Sequence, residues 1–329
     1  MYKLGDIKDI HLELTSKCQA KCPMCPRRVH GGIINPFVKL NEISLAKFKT
    51  WLSHDFLCQL DSLSMCGNLG DPIIAQDCLE IFQYLRNINH SMKLSLNTNG
   101  SARQPIFWQG LAAANVRILF GIDGMSDTHS IYRIDTDFNK IIENATAFIQ
   151  AGGHAEWHML VFKHNEHQVE ECRDMSSRLG FVAFTTKHTS RFTENGWAVL
   201  DDDGRTRYTI YPTEKSLDMI VKKEQSVIDV QANSINCMAK RSQQIYIGAD
   251  GAVSPCCWLD LKWSMPILPK RIDYMDRIGS FPNLNTSTLE HIFDSKFFDS
   301  IENTWNNKPL LTCSQQCGKF NKLRAQYVD

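Results

Sequence analysis

Three cysteines near the N-terminus, Cys18, Cys22 and Cys25, are the first residues whose type and spacing could support chemistry. They form a C-x3-C-x2-C array directly after an apolar, strand-like segment. Zinc sites usually combine one C-x2-C with a second close pair, and a common ferredoxin motif is C-x2-C-x2-C, so this spacing fits neither. No further cysteine follows until Cys58. A cubane cluster held by three cysteines leaves one iron free for an outside ligand, which indicates a reaction site rather than an electron carrier.

The array and its position after a first strand resemble the signature of the radical S-adenosylmethionine (radical SAM) enzymes. The resemblance implies that the three cysteines bind a 4Fe-4S cluster, whose fourth iron is chelated by the amino and carboxylate groups of S-adenosylmethionine. One electron then breaks the sulfonium bond, and the resulting 5'-deoxyadenosyl radical removes a hydrogen atom from the substrate. The alternatives are a zinc knuckle or three buried thiols.

The composition limits the class of protein. The chain has 329 residues, of which 43% are hydrophobic and 22% charged, as in an ordinary globular protein with room for about two domains. Lys plus Arg equals Asp plus Glu at 36 each, so no global charge favours nucleic acid or an anionic membrane. No signal peptide, transit peptide or membrane-spanning run is present in the sequence. We therefore expect a cytoplasmic protein whose twelve cysteines are metal ligands and free thiols.

The elements that must position the cysteine array alternate between strands and helices. Such alternation favours parallel strands with helices outside them, and folds of this kind place active sites at the C-terminal ends of the strands. It also matches the partial (β/α)6 TIM-like barrel of the radical SAM enzymes, here residues 1–190. The sequence predicts strands at 9–15, 61–66, 92–97, 116–122, 156–162 and 181–185, and helices at 43–54, 76–88, 105–114, 137–150 and 166–179.

A glycine-rich segment follows the second predicted strand. Gly67, Gly70 and a proline make a turn that can bring backbone groups near a ligand, and the alternative is an ordinary tight turn. The segment resembles the family's GGEP-type element, which is implied to contact the methionyl amino group. Because Asn68, Leu69 and Asp71 depart from that pattern, the backbone role carries over better than any side-chain role.

Further positions resemble cofactor-binding residues of this family. Asp123, in a GIDG segment, lies where related enzymes approach the ribose, and Arg133 resembles an arginine that pairs with the cofactor carboxylate. The alternative for Arg133 is a solvated charge at the start of a helix. The remaining positions implied to lie beside the cofactor are Asn97, Thr98 and Asn99 after the third strand and Asn165 after the fifth.

Residues 191–235 interrupt the alternation. They are polar and contain turn signals at Asn195-Gly196 and Asp203-Gly204, which predict a linker or a substrate-facing insertion. Four other cysteines, Cys58, Cys66, Cys78 and Cys172, lie in or beside predicted strands and helices and are expected to be core residues.

A second cysteine pattern defines the C-terminal part, residues 236–329. Thirteen residues separate Cys237 from Gly251, and four separate Gly251 from Cys256. The intervening Gln244–Ser254 segment predicts a β-hairpin that turns at Asp250-Gly251. This C-x13-G-x4-C opening resembles the SPASM and twitch domains, which bind auxiliary clusters in radical SAM enzymes.

The thiols available in this region limit how many clusters it can hold. With Cys313 and Cys317 downstream, Cys237 and Cys256 complete a set of four, which fits one auxiliary 4Fe-4S cluster in a twitch-like form rather than the two of a full SPASM domain. A structural zinc is the alternative for four cysteines in two separated groups. Cys257 competes with its neighbour Cys256 for the ligand position.

These resemblances imply a radical SAM enzyme that oxidatively modifies a peptide or protein side chain or a small molecule. If all four C-terminal cysteines bind the auxiliary cluster, it accepts an electron from the substrate radical; if one does not, substrate can coordinate it directly. Expected partners are a reductant such as flavodoxin or ferredoxin and a substrate that the sequence does not identify. Because no peptide-recognition domain precedes the barrel, a leader-guided peptide maturase is less favoured. The competing class is a nonenzymatic iron-sulfur electron carrier or a zinc-binding protein.

Overall fold

The computed structural model describes residues 3–193, 195–228, 234–260 and 269–318. Its main feature is an eight-stranded, mostly parallel sheet, so the predicted α/β partial barrel is confirmed. The strands are β1 (Asp9–Leu12), β2 (Ser62–Met65), β3 (Lys93–Thr98), β4 (Val116–Gly121), β5 (Ala155–Leu160), β6 (Ala183–Lys187), β7 (Trp197–Leu200), β8 (Thr206–Ile210), β9 (Gln244–Ile247) and β10 (Val253–Ser254).

Helices follow strands β1 to β5, as the sequence predicts. The helices of the described ranges are α1 (Leu45–Trp51), α2 (His54–Cys58), α3 (Cys78–Ile88), α4 (Pro105–Ala113), α5 (His129–Tyr132), α6 (Phe138–Gln150), α7 (Val169–Leu179), α8 (Glu214–Ile228), α9 (Met238–Arg241), α10 (Pro269–Arg277), α11 (Leu289–Asp294), α12 (Phe297–Asn303) and α13 (Leu311–Cys317). The single helix predicted at 43–54 is wrong. The Ser53 side chain accepts a hydrogen bond from the Phe56 N–H and caps a second helix, so α1 and α2 are separate.

The main core lies between the sheet and the helices. Strand residues such as Leu63 and Met65 pack with helix residues such as Ile81 and Phe82 in one buried cluster. Alternate residues of the same strands point the other way, toward the barrel interior. The polar residues discussed below lie at the C-terminal ends of these strands.

The C-terminal part continues the barrel sheet. β9 pairs in parallel with β1, from Asp9 opposite Gln244 to Leu12 opposite Ile247. β10 returns antiparallel to β9 and completes the predicted hairpin. Gly251 in the turn has φ +87°, a conformation that favours glycine. The order of the whole sheet is therefore β10-β9-β1-β2-β3-β4-β5-β6.

Residues 191–228 contain regular structure. β7 and β8 form an antiparallel hairpin, and α8 follows it. Val199 and Ile210 of this hairpin are buried against Ala20 and Met24 of the cysteine loop in a second hydrophobic cluster. The insertion is thus packed on the loop that carries the first three cysteines.

All twelve cysteines are free thiols in the structure. Cys78 and Cys172 are buried in the main core, as predicted. The prediction for Cys58 is wrong, because it ends α2 with its side chain exposed. Cys66, which directly follows β2, is only partly buried by its overall exposure and contacts the polar side chain of Asn97. None of the helices in the described ranges is both long and apolar enough to cross a bilayer.

Candidate functional site

The first candidate site is the cysteine loop that follows β1. Cys22 is 8% exposed, and Cys18 and Cys25 are partly buried. A turn closed by the Cys25 N–H on the Cys22 carbonyl at 3.0 Å fixes their spacing. The indole N–H of Trp197, in β7, donates to the Pro23 carbonyl at 3.1 Å, and Arg191 donates to the Met24 carbonyl at 2.9 Å. Two side chains of the segment after β6 therefore hold the backbone of the cysteine loop.

Burial opposes ionisation of these thiols. It raises the pKa of Cys22 to about 11, although the positive charge of Arg133 works in the other direction. Burial also raises the pKa of Cys18 and of Cys25. Thiols in such surroundings become thiolates when a metal supplies the compensating charge, so the donor set fits a metal cluster.

Asp71 connects the loops that follow β1, β2 and β3. Its buried carboxylate accepts hydrogen bonds from the Thr98 hydroxyl at 3.0 Å and from the Asn99 backbone and side-chain N–H groups at 2.8 and 2.6 Å. The Asn99 amide nitrogen also lies 3.7 Å from the Cys18 sulfur, and its amide oxygen accepts from Gln19 at 2.8 Å. The structure thus brings three of the predicted segments together around Cys18.

The glycines of the second loop allow close approach of backbone to backbone. A Cβ on Gly70 would lie 1.9 Å from the Thr15 carbonyl oxygen, and one on Gly67 would lie 2.2 Å from the Gly70 oxygen. Only glycine fits at either position. The neighbouring Asn68 is turned toward the C-terminal part, with its amide nitrogen 3.4 Å from the Tyr246 hydroxyl and from the Cys257 carbonyl.

Asp123 and Arg133 form a buried ion pair beside the cysteine loop. The Arg133 Nε donates to one Asp123 oxygen at 2.6 Å, and the Leu160 N–H donates to the other at 2.6 Å. Asp123 is fully buried and the Arg133 side chain is 20% exposed, so the solvated-charge alternative for Arg133 is wrong. An Arg133 guanidinium nitrogen lies 3.9 Å from the Cys22 sulfur. The pair therefore places a positive charge next to the candidate cluster site.

The two remaining predicted positions, Asn165 and Asn97, differ in how far their side chains are exposed. Asn165 is fully buried, and its amide bonds the Phe162 N–H and the carbonyls of Asp123 and Leu160. Asn97 is exposed and donates to the Cys66 sulfur at 3.3 Å. Asn165 thus holds the end of β5, whereas Asn97 faces open space.

A second candidate site lies among the C-terminal cysteines. Cys237, Cys256, Cys313 and Cys317 line one cavity together with mostly apolar residues, and Cys257 is not part of its lining. The Asn236 N–H donates to the Cys317 carbonyl at 2.8 Å, which joins the two ends of this region. A hydrogen bond with Cys317, together with burial, raises the pKa of Cys237, and burial raises that of Cys256 to about 12.

Comparison with protein families resolves the nature of the C-terminal part. Residues 237–318 match the family model described as SPASM, an iron-sulfur cluster-binding domain. This region is therefore similar to SPASM domains; it is called the SPASM domain below, and the cavity lined by Cys237, Cys256, Cys313 and Cys317 is called the SPASM cavity. The match begins at the first cysteine of the cavity and extends one residue beyond the last, so all four cavity cysteines lie inside the SPASM domain.

Solved structures show the same overall fold. The chain resembles anSMEcpe with bound AdoMet at 17% identity and a TM-score of 0.58, over 91% of this chain and 81% of that one. It resembles SuiB from Streptococcus suis at 15% identity and a TM-score of 0.55, over 92% of this chain and 66% of that one. The chain therefore shares the overall fold of anSMEcpe and SuiB, and its residues 237–318 match the SPASM model.

Sequence reasoning missed one residue that links the two parts. Glu13 is 2% exposed and accepts hydrogen bonds from the Leu69 N–H at 2.6 Å and the Gly70 N–H at 3.3 Å. Its other oxygen accepts from the hydroxyl of Tyr246, in β9, at 2.5 Å. Burial raises the pKa of Glu13 to about 7, and these hydrogen bonds oppose the rise. An acidic residue near the end of the first predicted strand, directly before the cysteine loop, was the available signal.

Proposed function

We propose that the chain is a radical SAM enzyme that cleaves S-adenosylmethionine reductively and oxidises a substrate after removing a hydrogen atom from it. The observation that carries the proposal is the position of Cys18, Cys22 and Cys25 in one loop after β1, where Asn99, held by Asp71, contacts the Cys18 sulfur. When bound there, a 4Fe-4S cluster supplies the electron that cleaves the sulfonium bond. The radical SAM fold and the SPASM match both support this interpretation.

The residues of this site would bind the cluster and orient S-adenosylmethionine on it. Cys18, Cys22 and Cys25 would hold the cluster and leave one iron for the cofactor. Glycine backbone in the loop after β2 is the candidate contact for the methionyl amino group, and Arg133 is the candidate partner of the carboxylate. Hydrophobic packing of the cysteine loop against Phe162, Phe192 and Val199 excludes water from one side of the site.

We propose that an auxiliary 4Fe-4S cluster, bound in the SPASM cavity, accepts the electron from the substrate radical. Four thiols around one mostly apolar cavity suit a fully ligated 4Fe-4S cluster, which has no open iron and therefore transfers electrons rather than binding substrate. A structural zinc ion with four sulfurs about 2.3 Å away is the alternative, and metal analysis distinguishes the two.

We extend the proposal to a peptide or protein substrate. One related structure is anSMEcpe with bound AdoMet and the Cp18Cys peptide, and another is SuiB bound to the precursor peptide SuiA. Both are peptide complexes on the fold that this chain shares. The reductant, such as flavodoxin or ferredoxin, and the cytoplasmic location stay predictions from the sequence.

Anaerobic reconstitution tests the reaction class. We expect about eight iron atoms per chain, four from each cluster, and release of 5'-deoxyadenosine that requires both S-adenosylmethionine and a reductant. An iron carrier would contain clusters without releasing the nucleoside, and a zinc protein would contain neither. Either of those results would refute the proposal.

Isotope transfer tests the substrate class. Candidate peptides deuterated at single side-chain carbons are incubated with the reconstituted enzyme, and 5'-deoxyadenosine is analysed by mass spectrometry. Deuterium in the nucleoside identifies the carbon that loses hydrogen, and a peptide product lighter by two hydrogens shows oxidation. Turnover of small molecules but of no peptide would contradict the peptide assignment.

A further inference from the structure

Helix α13 contributes four residues from two successive turns to the lining of the SPASM cavity. They are Thr312, Cys313, Gln316 and Cys317. Their spacing of three and four residues places them on neighbouring rows of one helix face. Two of the four are proposed cluster ligands. The other two are polar residues that the proposed ligand set does not use.

The hydroxyl of Thr312 has no hydrogen-bond partner within the described part of the chain. The residue is 4% exposed, so bulk water does not solvate it. A buried hydroxyl without a hydrogen-bond partner destabilises the fold. The position of Thr312 on the cavity wall indicates that its partner is the group that fills the cavity.

The indole of Trp305 provides a second donor at the same wall. Trp305 lines the cavity, and its Nε1 atom is inaccessible to solvent. Within the described part of the chain, no hydrogen-bond acceptor pairs with this N–H. Because an indole nitrogen can only donate, a group that fills the cavity and pairs with Trp305 must accept a hydrogen bond.

We propose that Thr312 and Trp305 are positioning residues that donate hydrogen bonds to the sulfur atoms of the auxiliary cluster and raise its reduction potential. The inference rests on the proposed function, which places a 4Fe-4S cluster in this cavity. Donors directed at sulfur stabilise the reduced, more negative form of such a cluster. A higher potential favours transfer of an electron from a substrate radical to the cluster, which is the direction that net oxidation requires.

A potentiometric titration of the reconstituted holoenzyme, followed by electron paramagnetic resonance, tests the proposal. S-adenosylmethionine changes the signal of the cluster that it ligates, so the unchanged signal belongs to the auxiliary cluster. We expect Thr312→Val and Trp305→Phe each to lower the midpoint potential of that cluster. Thr312→Ser, which keeps the hydroxyl, is the matched control and should retain the wild-type potential.

The thermal stability of the apoprotein distinguishes a role of Thr312 toward the cluster from a role in stabilising the fold. Without the cluster, Thr312→Val removes an unpartnered hydroxyl and should leave thermal stability unchanged or higher. With the cluster bound, the same variant should show the lowered potential. A variant that unfolds in the apo state would contradict the inference, because the hydroxyl would then support the fold itself.

The outcomes separate this inference from the proposed function. If wild-type protein binds no second cluster, the proposed function fails. If wild-type and both variants contain about eight iron atoms and have equal auxiliary potentials, only the role of Thr312 and Trp305 is refuted. If Thr312→Val fails to retain iron while Thr312→Ser retains it, the potential of Trp305→Phe decides the question.

Discussion

The two cysteine sites differ in their surroundings as much as in their number of thiols. Cys18, Cys22 and Cys25 lie beside polar loops, where Asp71, Asn99 and Arg133 supply hydrogen bonds and charge. The SPASM cavity is lined mostly by apolar side chains and has four thiols. Polar groups around an incomplete ligand set suit recognition of a charged cofactor, whereas a closed apolar wall suits electron transfer. The surroundings of each cysteine set therefore distinguish its proposed role as clearly as the number of cysteines does.

Removal of a barrel cysteine should have the largest effect. Cys22→Ala leaves two thiols for the first cluster, so 5'-deoxyadenosine formation should fall to background and iron should drop from about eight to about four atoms per chain. Iron analysis and chromatography of the nucleoside measure both. Cys172→Ala, at a buried thiol in the main core, is the matched control and should keep both clusters. Nucleoside release by Cys22→Ala would refute the assignment of the first site.

Removal of a cysteine from the SPASM cavity should separate cofactor cleavage from oxidation of the substrate. Cys313→Ala should retain at least part of cofactor cleavage while product formation stops, because the electron acceptor is lost. Single-turnover assays that quantify nucleoside and product together show the difference. Full product yield from this variant would exclude the auxiliary site from the reaction.

The neighbouring Cys256 and Cys257 allow the boundary of the cavity to be tested. Cys256 lines the cavity and Cys257 does not, so Cys256→Ala should lose about four iron atoms and Cys257→Ala should keep them. Reconstituted proteins are compared by iron content and by the absorbance of the cluster. The reverse result would show that the two residues exchange roles.

The pH dependence of stability tests the burial of Glu13. Its pKa rises from 4.5 to about 7 in the folded protein, so the folded state binds the proton more tightly than the unfolded chain. The resulting contribution is present below pH 4.5 and is lost as the pH rises to about 7. We expect Glu13→Gln to be less sensitive over this window, by on the order of 1–3 kcal/mol. Urea unfolding of both proteins at several pH values measures the difference, and identical curves would contradict the prediction.

The hydrogen bond between Tyr246 and Glu13 should have the smallest effect. Tyr246→Phe removes a contact of the SPASM domain with the residue that holds the loop after β2. We expect S-adenosylmethionine binding to weaken by about 1 kcal/mol, or about fivefold. Equilibrium binding under anaerobic conditions measures it. The exposed Tyr211→Phe is the control, and equal affinities for the two variants would show that the contact does not influence the cofactor loop.

Local patterns in the sequence predicted most of the barrel. Six strands and their helices follow from apolar periodicity, and the cysteine array follows from spacing alone. The division of the helix at 43–54 was missed because the cap at Ser53 interrupts a continuous apolar pattern. The exposure of Cys58 was missed because a helix end can face either core or solvent.

Long-range contacts could not be predicted from such patterns. Glu13 and Tyr246 are separated by 233 positions, and nothing near either residue indicates the other. The roles of Asp71 and Asn165 were likewise hidden, because the structure uses their side chains for hydrogen bonds within the protein. The choice between Cys256 and Cys257 depends on which adjacent side chain faces the cavity, and spacing does not determine that.

The parallel pairing of β9 with β1 has a consequence for synthesis of the chain. β1 is synthesised before every other strand of the sheet, but the strand that covers its outer edge is made more than two hundred residues later. Until then the nascent barrel presents an open edge with unpaired backbone groups, which is a site for aggregation. A product truncated before Gln244 would keep that edge permanently, so premature termination should yield insoluble protein rather than a free-standing barrel.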